Sequence, residues 1–179
     1  MNLISTSAFC TLGVLAACSL TEKQCSQGDW EAIGKSDGAQ GRSAEYISKH
    51  TKTCAKYGLI VNQTLWSGGR EEGLKSYCTV QNVYVQGRNG KNLRPVCPTG
   101  DLTVLQAAND KGNKYYQIQS EMENLDHEQS RLRYEISRLR GGSITLQSAS
   151  RINSLRMQIL QIELRINHLR LQLGRYDQA

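Results

Sequence analysis

The sequence predicts an all-α protein: a small disulfide-stapled helical head followed by a long antiparallel two-helix coiled-coil hairpin. Two heptad seams near the C-terminus mirror each other about a Gly-Gly-Ser break. Glycines recur at helical spacing through the first two-thirds of the chain, where four cysteines also lie, and no stretch alternates long enough to argue for a sheet. A shift in composition marks the boundary, because glycine crowds the first part and arginine and leucine the last, with the change near Gly112.

Residues 1–17 carry no charged side chain, and Phe9 to Ala17 is a short apolar run ending in small residues. This is the form of a secretory signal peptide and is too short to span a bilayer as a helix. Leu15-Ala16-Ala17-Cys18 resembles the bacterial lipobox, whose cysteine receives a diacylglycerol before cleavage on its N-terminal side. The expected mature chain therefore starts at a lipidated Cys18, with residues 18–24 as a linker and several acyl chains as a membrane anchor. The leader departs from the usual pattern in having no Lys or Arg in Met1-Asn2-Leu3-Ile4. By resemblance to lipoprotein sorting in Gram-negative bacteria, Ser19 points to the outer membrane and a periplasmic location.

With Cys10 removed and Cys18 acylated, Cys25, Cys54, Cys78 and Cys97 remain. An even number in an oxidising compartment reads as two disulfides, and the absence of any Cys-x-x-Cys pair argues against a zinc site or a redox dithiol. Three pairings are open. Cys25 with Cys54 and Cys78 with Cys97 is preferred, since each bridge would staple neighbouring helical segments.

The head is expected over residues 25–112. Asp29 is placed to cap a helix at Trp30, Gly58 to close a helix after Tyr57, Asn62 to cap the next, and Pro95 and Pro98 to hold a loop around Cys97. Asp101 is placed to cap a last helix that continues into the C-terminal segment. Trp30, Gly34, Gly38 and Gly41 are followed by a related pattern at Trp66, Gly69 and Gly73, and by another at Tyr84, Gly87 and Gly90, as if one unit were copied. Glycines four apart share a helical face, and helix-interior Gly costs up to about 1 kcal/mol against Ala, so the pattern needs a reason. Close packing is the preferred reason; a ligand approaching bare backbone is the other.

The ordered motifs Cys25, Gly28-Asp29-Trp30, Gly34, Asp37-Gly38, Gly41, Cys54, Gly73-Leu74, Tyr77-Cys78 and Val96-Cys97-Pro98 together resemble a proteobacterial lipoprotein family, domain of unknown function twenty-seven ninety-nine. The resemblance covers about residues 20–115. It implies an envelope lipoprotein with paired cysteines and supplies no activity.

Residues 113–179 carry the hairpin. Ile118, Met122, Leu125, Gln129, Leu132, Ile136 and Leu139 form one seam, and Ile152, Leu155, Ile159, Ile162, Ile166, Leu169 and Leu173 the other, with a turn near 141–149. Position 139 mirrors 152, 136 mirrors 155, and so on to 118 with 173, so an antiparallel hairpin sets each pair at one level. Gln129 is the one polar seam position. A further stripe on the return helix, Met157, Leu160, Leu164 and Leu171, has no equally rich partner and should be covered by the head, a second copy or another protein. Arg138, Arg140 and Arg151 crowd the tip, where a solvated face competes with a cationic contact for carboxylates or phosphates.

The net charge of +6 is spread over both parts, with 12 basic and 9 acidic residues in 18–112 and 10 and 7 in 113–179, so neither half calls for a nucleic acid. No Walker or dinucleotide loop occurs, and His50, His127 and His168 fall in no metal-ligand or nucleophile–base motif. No cofactor or metal is expected. Asp37 and Arg70, with Asp29 and Glu45, are the residues that could meet in a polar pocket of the head. The expectation is a non-enzymatic envelope lipoprotein that scaffolds itself or another envelope protein through the hairpin face and tip. The alternative is a peptidoglycan-binding or hydrolytic head with the hairpin as spacer.

Overall fold

The computed structural model describes residues 20–143 and 145–178, all seven of whose α-helices follow the chain in simple order. Cys18 and the leader lie outside the described residues. The helices are α1 (Glu22–Gln27), α2 (Trp30–Ala39), α3 (Ile47–Ala55), α4 (Gln63–Tyr77), α5 (Val80–Arg88), α6 (Leu102–Arg140) and α7 (Leu146–Leu173). No strand occurs among the described residues.

The caps sit where side-chain chemistry puts them. Asp29 accepts from the Ala32 amide at 3.2 Å and Asn62 from the Leu65 amide at 3.1 Å. Gly58 takes a positive φ of 71° after α3. Asp101 precedes α6 without giving its side chain to the helix, so that expected cap is not made. The disulfides are Cys25–Cys54 and Cys78–Cys97, the preferred pairing.

Glycine decides how the head packs. A Cβ built on Gly34 would lie 2.0 Å from the Trp66 carbonyl oxygen, and one on Gly38 would lie 2.1 Å from that of Arg70. From the other side, Cβ atoms built on Gly69 and Gly73 would lie 2.0 and 2.1 Å from the carbonyl oxygens of Glu31 and Lys35. Contacts advance by four residues on both helices together, so α2 and α4 run parallel with their backbones touching. Such an approach leaves room only for hydrogen at Cα and permits Cα–H···O contacts along the seam. The preferred explanation of the glycine pattern, packing, is the one the geometry bears out.

The same arrangement recurs. Gly87 meets Asn109 O and Asn113 N as Gly38 meets Arg70 O and Leu74 N; Gly112 meets Tyr84 O and Arg88 N as Gly73 meets Lys35 O and Ala39 N. Gly41 and Gly90, each turning the chain at positive φ, are covered by the rings of Tyr77 and Tyr116. The carbonyl after each turn is held from the second helix, Arg42 O by Arg70 Nε at 2.7 Å and Lys91 O by Asn109 Nδ2 at 3.0 Å. The repeating unit is thus a parallel helix pair, α2 with α4 and then α5 with α6, each with one disulfide. This corrects the three single-helix copies read from the sequence: the Trp66–Gly73 stretch is the second half of the first unit. Periodicity along the chain cannot distinguish a repeat of one helix from a repeat of two.

Two buried clusters fill these units. Cys25, Trp30, Cys54 and Trp66 make the first, and Tyr77, Val83, Tyr84, Cys97, Leu105 and Ala108 the second. Val83 and Ala108 stand where the first unit has Gly34 and Gly69.

Helix α6 continues without a break through Gly112 and leaves the head as the outgoing arm of the hairpin. All residues of the two predicted seams are buried or half-buried, with Leu155 and Leu169 almost fully enclosed. Ion pairs Glu121–Arg165, Glu135–Arg151 and Arg133–Glu163 join the arms near the predicted register, and Gln129 donates to Glu163 at 3.1 Å. The turn is shorter than expected: α7 starts at Leu146 because Thr145 and Ser148 form a capping box. At 1.5 Å per residue α7 is ~42 Å long. Its end returns to the head, where Tyr176 O accepts from the Tyr84 hydroxyl and Arg88 lies between Asp177, at 3.4 Å, and the face of Tyr115.

Substituting Gly38→Ala should force α2 and α4 apart and lose about 3 kcal/mol in urea unfolding, as overpacking of a rigid contact does. Gly68→Ala, on the same pair but facing open space, should instead gain about 0.5–1 kcal/mol. Burial raises the Tyr84 phenol above its ordinary 10.0, with Arg88 opposing and Asp177 adding. The fold therefore favours the neutral phenol: this contribution is intact below pH 10 and is lost as pH rises through the raised value. Alkaline melts of Tyr84→Phe should show a smaller pH dependence than wild type.

Candidate functional site

The polar centre of the head lies inside the first unit. Asp37, in the last turn of α2, places carboxylate oxygen Oδ2 2.7 Å from His50 Nε2 on α3 and 2.9 Å from Trp66 Nε1 on α4. Asp37, His50 and Trp66 are 7%, 5% and 1% exposed, so these three residues satisfy one another away from bulk water. Tyr46 meets His50 edge-on at 5.3 Å, and the Arg42 guanidinium covers the Tyr46 ring at 4.5 Å.

Beside this cluster opens a pocket of about 500 Å³, with Asp29, Asp37, Arg42, Tyr46 and His50 among its walls and Leu20 and Ile33 supplying apolar surface. Of the residues expected to meet in a head pocket, Asp37 and Asp29 do so. Arg70 does not: its Nε is committed to Arg42 O, because α4 turns that face toward the Gly41 turn. Glu45 lies fully exposed, and its carboxyl is held below the usual range chiefly by a hydrogen bond with Ser43.

His50 is the participant that the sequence reading passed over. It stands alone on a short helix with no partner at motif spacing, and only the fold of α3 against α2 brings Asp37 to it across 13 positions. The second unit offers a comparison within the same chain. Its positions equivalent to Asp37 and Trp66 are Gln86 and Leu105, yet its helices pack in the same way. The Asp37–His50–Trp66 cluster is therefore not required by the helix-pair architecture itself.

Chemically the cluster is self-contained. Asp37 spends one oxygen on two donors, and among the described residues no hydroxyl or thiol is hydrogen-bonded to His50. No group of three His, Cys, Asp or Glu side chains suited to a metal occurs among them either.

On the hairpin, Met157, Leu160, Leu164 and Leu171 are 58%, 47%, 63% and 78% exposed. At the tip Arg151 is paired with Glu135, whereas Arg138 and Arg140 are exposed and form no ion pair among the described residues. No described helix is long and apolar enough to cross a membrane.

Fold and site together define an all-α, disulfide-bridged, glycine-packed domain bearing a coiled-coil arm. Residues 29–114, within the head and the start of the arm, match the model of the family described as protein of unknown function (DUF2799). The matched span contains α2 to α5 and the first part of α6, that is, both helix pairs. No curated protein and no solved structure matches the chain.

Removing the shared acceptor tests the cluster. Asp37→Ala leaves a buried indole N–H and imidazole unsatisfied and should lower stability by about 2–4 kcal/mol. Combined with His50→Ala in a double-mutant cycle, the losses should fall short of additive, because both changes break one network.

Proposed function

We propose that this protein is a non-enzymatic cell-envelope lipoprotein, held on the membrane by acyl chains at Cys18, and that its hairpin is a self-association arm. The observation that carries the reading is the apolar stripe left on α7 after both heptad seams are used up. Met157 and Leu171 are equally far from Leu164. An antiparallel second copy would set Met157 against Leu171 and Leu164 against its own counterpart, as a two-fold isologous contact requires. Four large apolar side chains along one face of a rigid arm are what such a contact buries.

The cationic tip fits the same reading. Arg138 and Arg140, which form no ion pair among the described residues, can meet carboxylates or phosphates on a neighbouring surface.

Sedimentation equilibrium of the detergent-solubilised chain should show a monomer–dimer equilibrium. Leu164→Glu should shift it to monomer with the far-ultraviolet spectrum unchanged, while Leu164→Met should leave it intact. A photoreactive residue at position 160 should crosslink to a second copy in cells. An adduct to a different envelope protein would replace self-association by that partnership, and a crosslink only to the chain's own head would make the hairpin a structural arm.

A further inference from the structure

Where the two helix pairs meet, the molecule has a second cleft, of about 450 Å³, distinct in character from the pocket beside Asp37. Three of its walls are cationic, Arg42, Lys91 and Arg94, and the polar remainder includes the neutral groups of Gln40, Gln86 and Asn92. No carboxylate of the described residues lines it. Nor is any of the three cations in an ion pair among the described residues.

Carboxylates on the neighbouring elements are engaged elsewhere: Asp37 holds His50 and Trp66, Glu45 bonds with Ser43, and Asp110, which shares a separate groove with Arg94, accepts from Gln106 at 2.8 Å. The arginines are positioned by uncharged partners. Arg42 lies over Tyr46, and Arg94 Nη1 donates to Gly41 O at 3.4 Å. These contacts orient the side chains and leave their charge uncompensated. The Nε of Arg42 is buried and has no hydrogen-bond acceptor among the described residues.

The duplication explains why the cations converge. Arg42 and Lys91 occupy one position of the two units, the first residue after the positive-φ glycine, and each backbone is pinned at its carbonyl by the second helix of its own pair. Both backbone positions are thereby fixed, and from them the exposed Lys91 side chain and the half-buried Arg42 side chain reach the cleft beside the exposed Arg94.

We propose that this cleft binds a phosphate group, with Arg42, Lys91 and Arg94 as its cationic ligands and Gln40, Gln86 and Asn92 as neutral hydrogen-bonding neighbours. A dianion answers several unpaired cations better than one carboxylate does, and planar guanidinium groups match its oxygens. The proposal stands independently of the self-association of the hairpin. A phosphate could reach the cleft on a soluble ester or on a lipid headgroup.

Calorimetric titration of the full chain with pyrophosphate should show saturable binding. Arg94→Gln should weaken it roughly tenfold or more, the loss of a charge-assisted hydrogen bond. Arg94→Lys should retain part of it, and Lys75→Gln, whose cation already pairs with Glu72, should leave it unchanged. Vesicles of phosphatidylglycerol in phosphatidylcholine then distinguish the sources. Capture that Arg94→Gln weakens and pyrophosphate displaces assigns a headgroup. Pyrophosphate binding without such capture assigns a soluble ester. Absence of saturable pyrophosphate binding, or an equal loss in Lys75→Gln, would overturn the proposal.

Discussion

The contact between the bare backbones of α2 and α4 is the constraint from which the head follows. With four glycines on the shared face, the helices approach until each Cα faces a carbonyl oxygen of its neighbour. At that separation there is no place for a conventional layer of apolar side chains, and a chain with only 11 aromatic residues has few to offer. The large side chains are displaced to the flanks, where Trp30 and Trp66 close over the first disulfide. Backbone proximity and covalent crosslinks substitute here for the bulk of a larger core.

Parallel packing has a topological consequence. Two helices that run the same way cannot be joined by a tight turn, so each pair needs a return segment, and both return segments carry a cysteine of the local bridge. In the first unit that segment includes α3, which delivers His50 to Asp37. In the second it is short and contains the loop with Pro95, Cys97 and Arg94. One architecture therefore presents a buried Asp–His–Trp cluster in one copy and, in the other, the loop that carries Arg94. Variation between the copies separates what the scaffold requires, the turn glycines and their covering tyrosines, from what it merely carries.

The second unit also shares its last helix with the arm. Because α6 runs through Gly112 without a break, the hairpin is a continuation of the head's packing rather than a module on a flexible linker. The return of α7 to Tyr84 and Arg88 closes this construction, tying the last residues of the described chain to the second core.

The helical class, the disulfide preference, the two seams and the uncovered leucine stripe were all legible in the sequence, because each depends on spacing within one segment or between mirrored segments. Asp29 and Asn62 were legible as caps for the same reason: a cap acts over three residues. The partnership of Asp37 with His50, the diversion of Arg70 to a backbone carbonyl and the true size of the repeat were not. They depend on which helices lie side by side, and glycine seams advertise close approach without naming the partner or its direction. The sequence by itself determined that backbones would touch and that two heptad faces would close on each other. Only the tertiary structure decided that the touching helices run parallel, and that the two turns they leave behind bring Arg42, Lys91 and Arg94 around one cleft, since convergence of side chains far apart in sequence is fixed by packing and not by local periodicity.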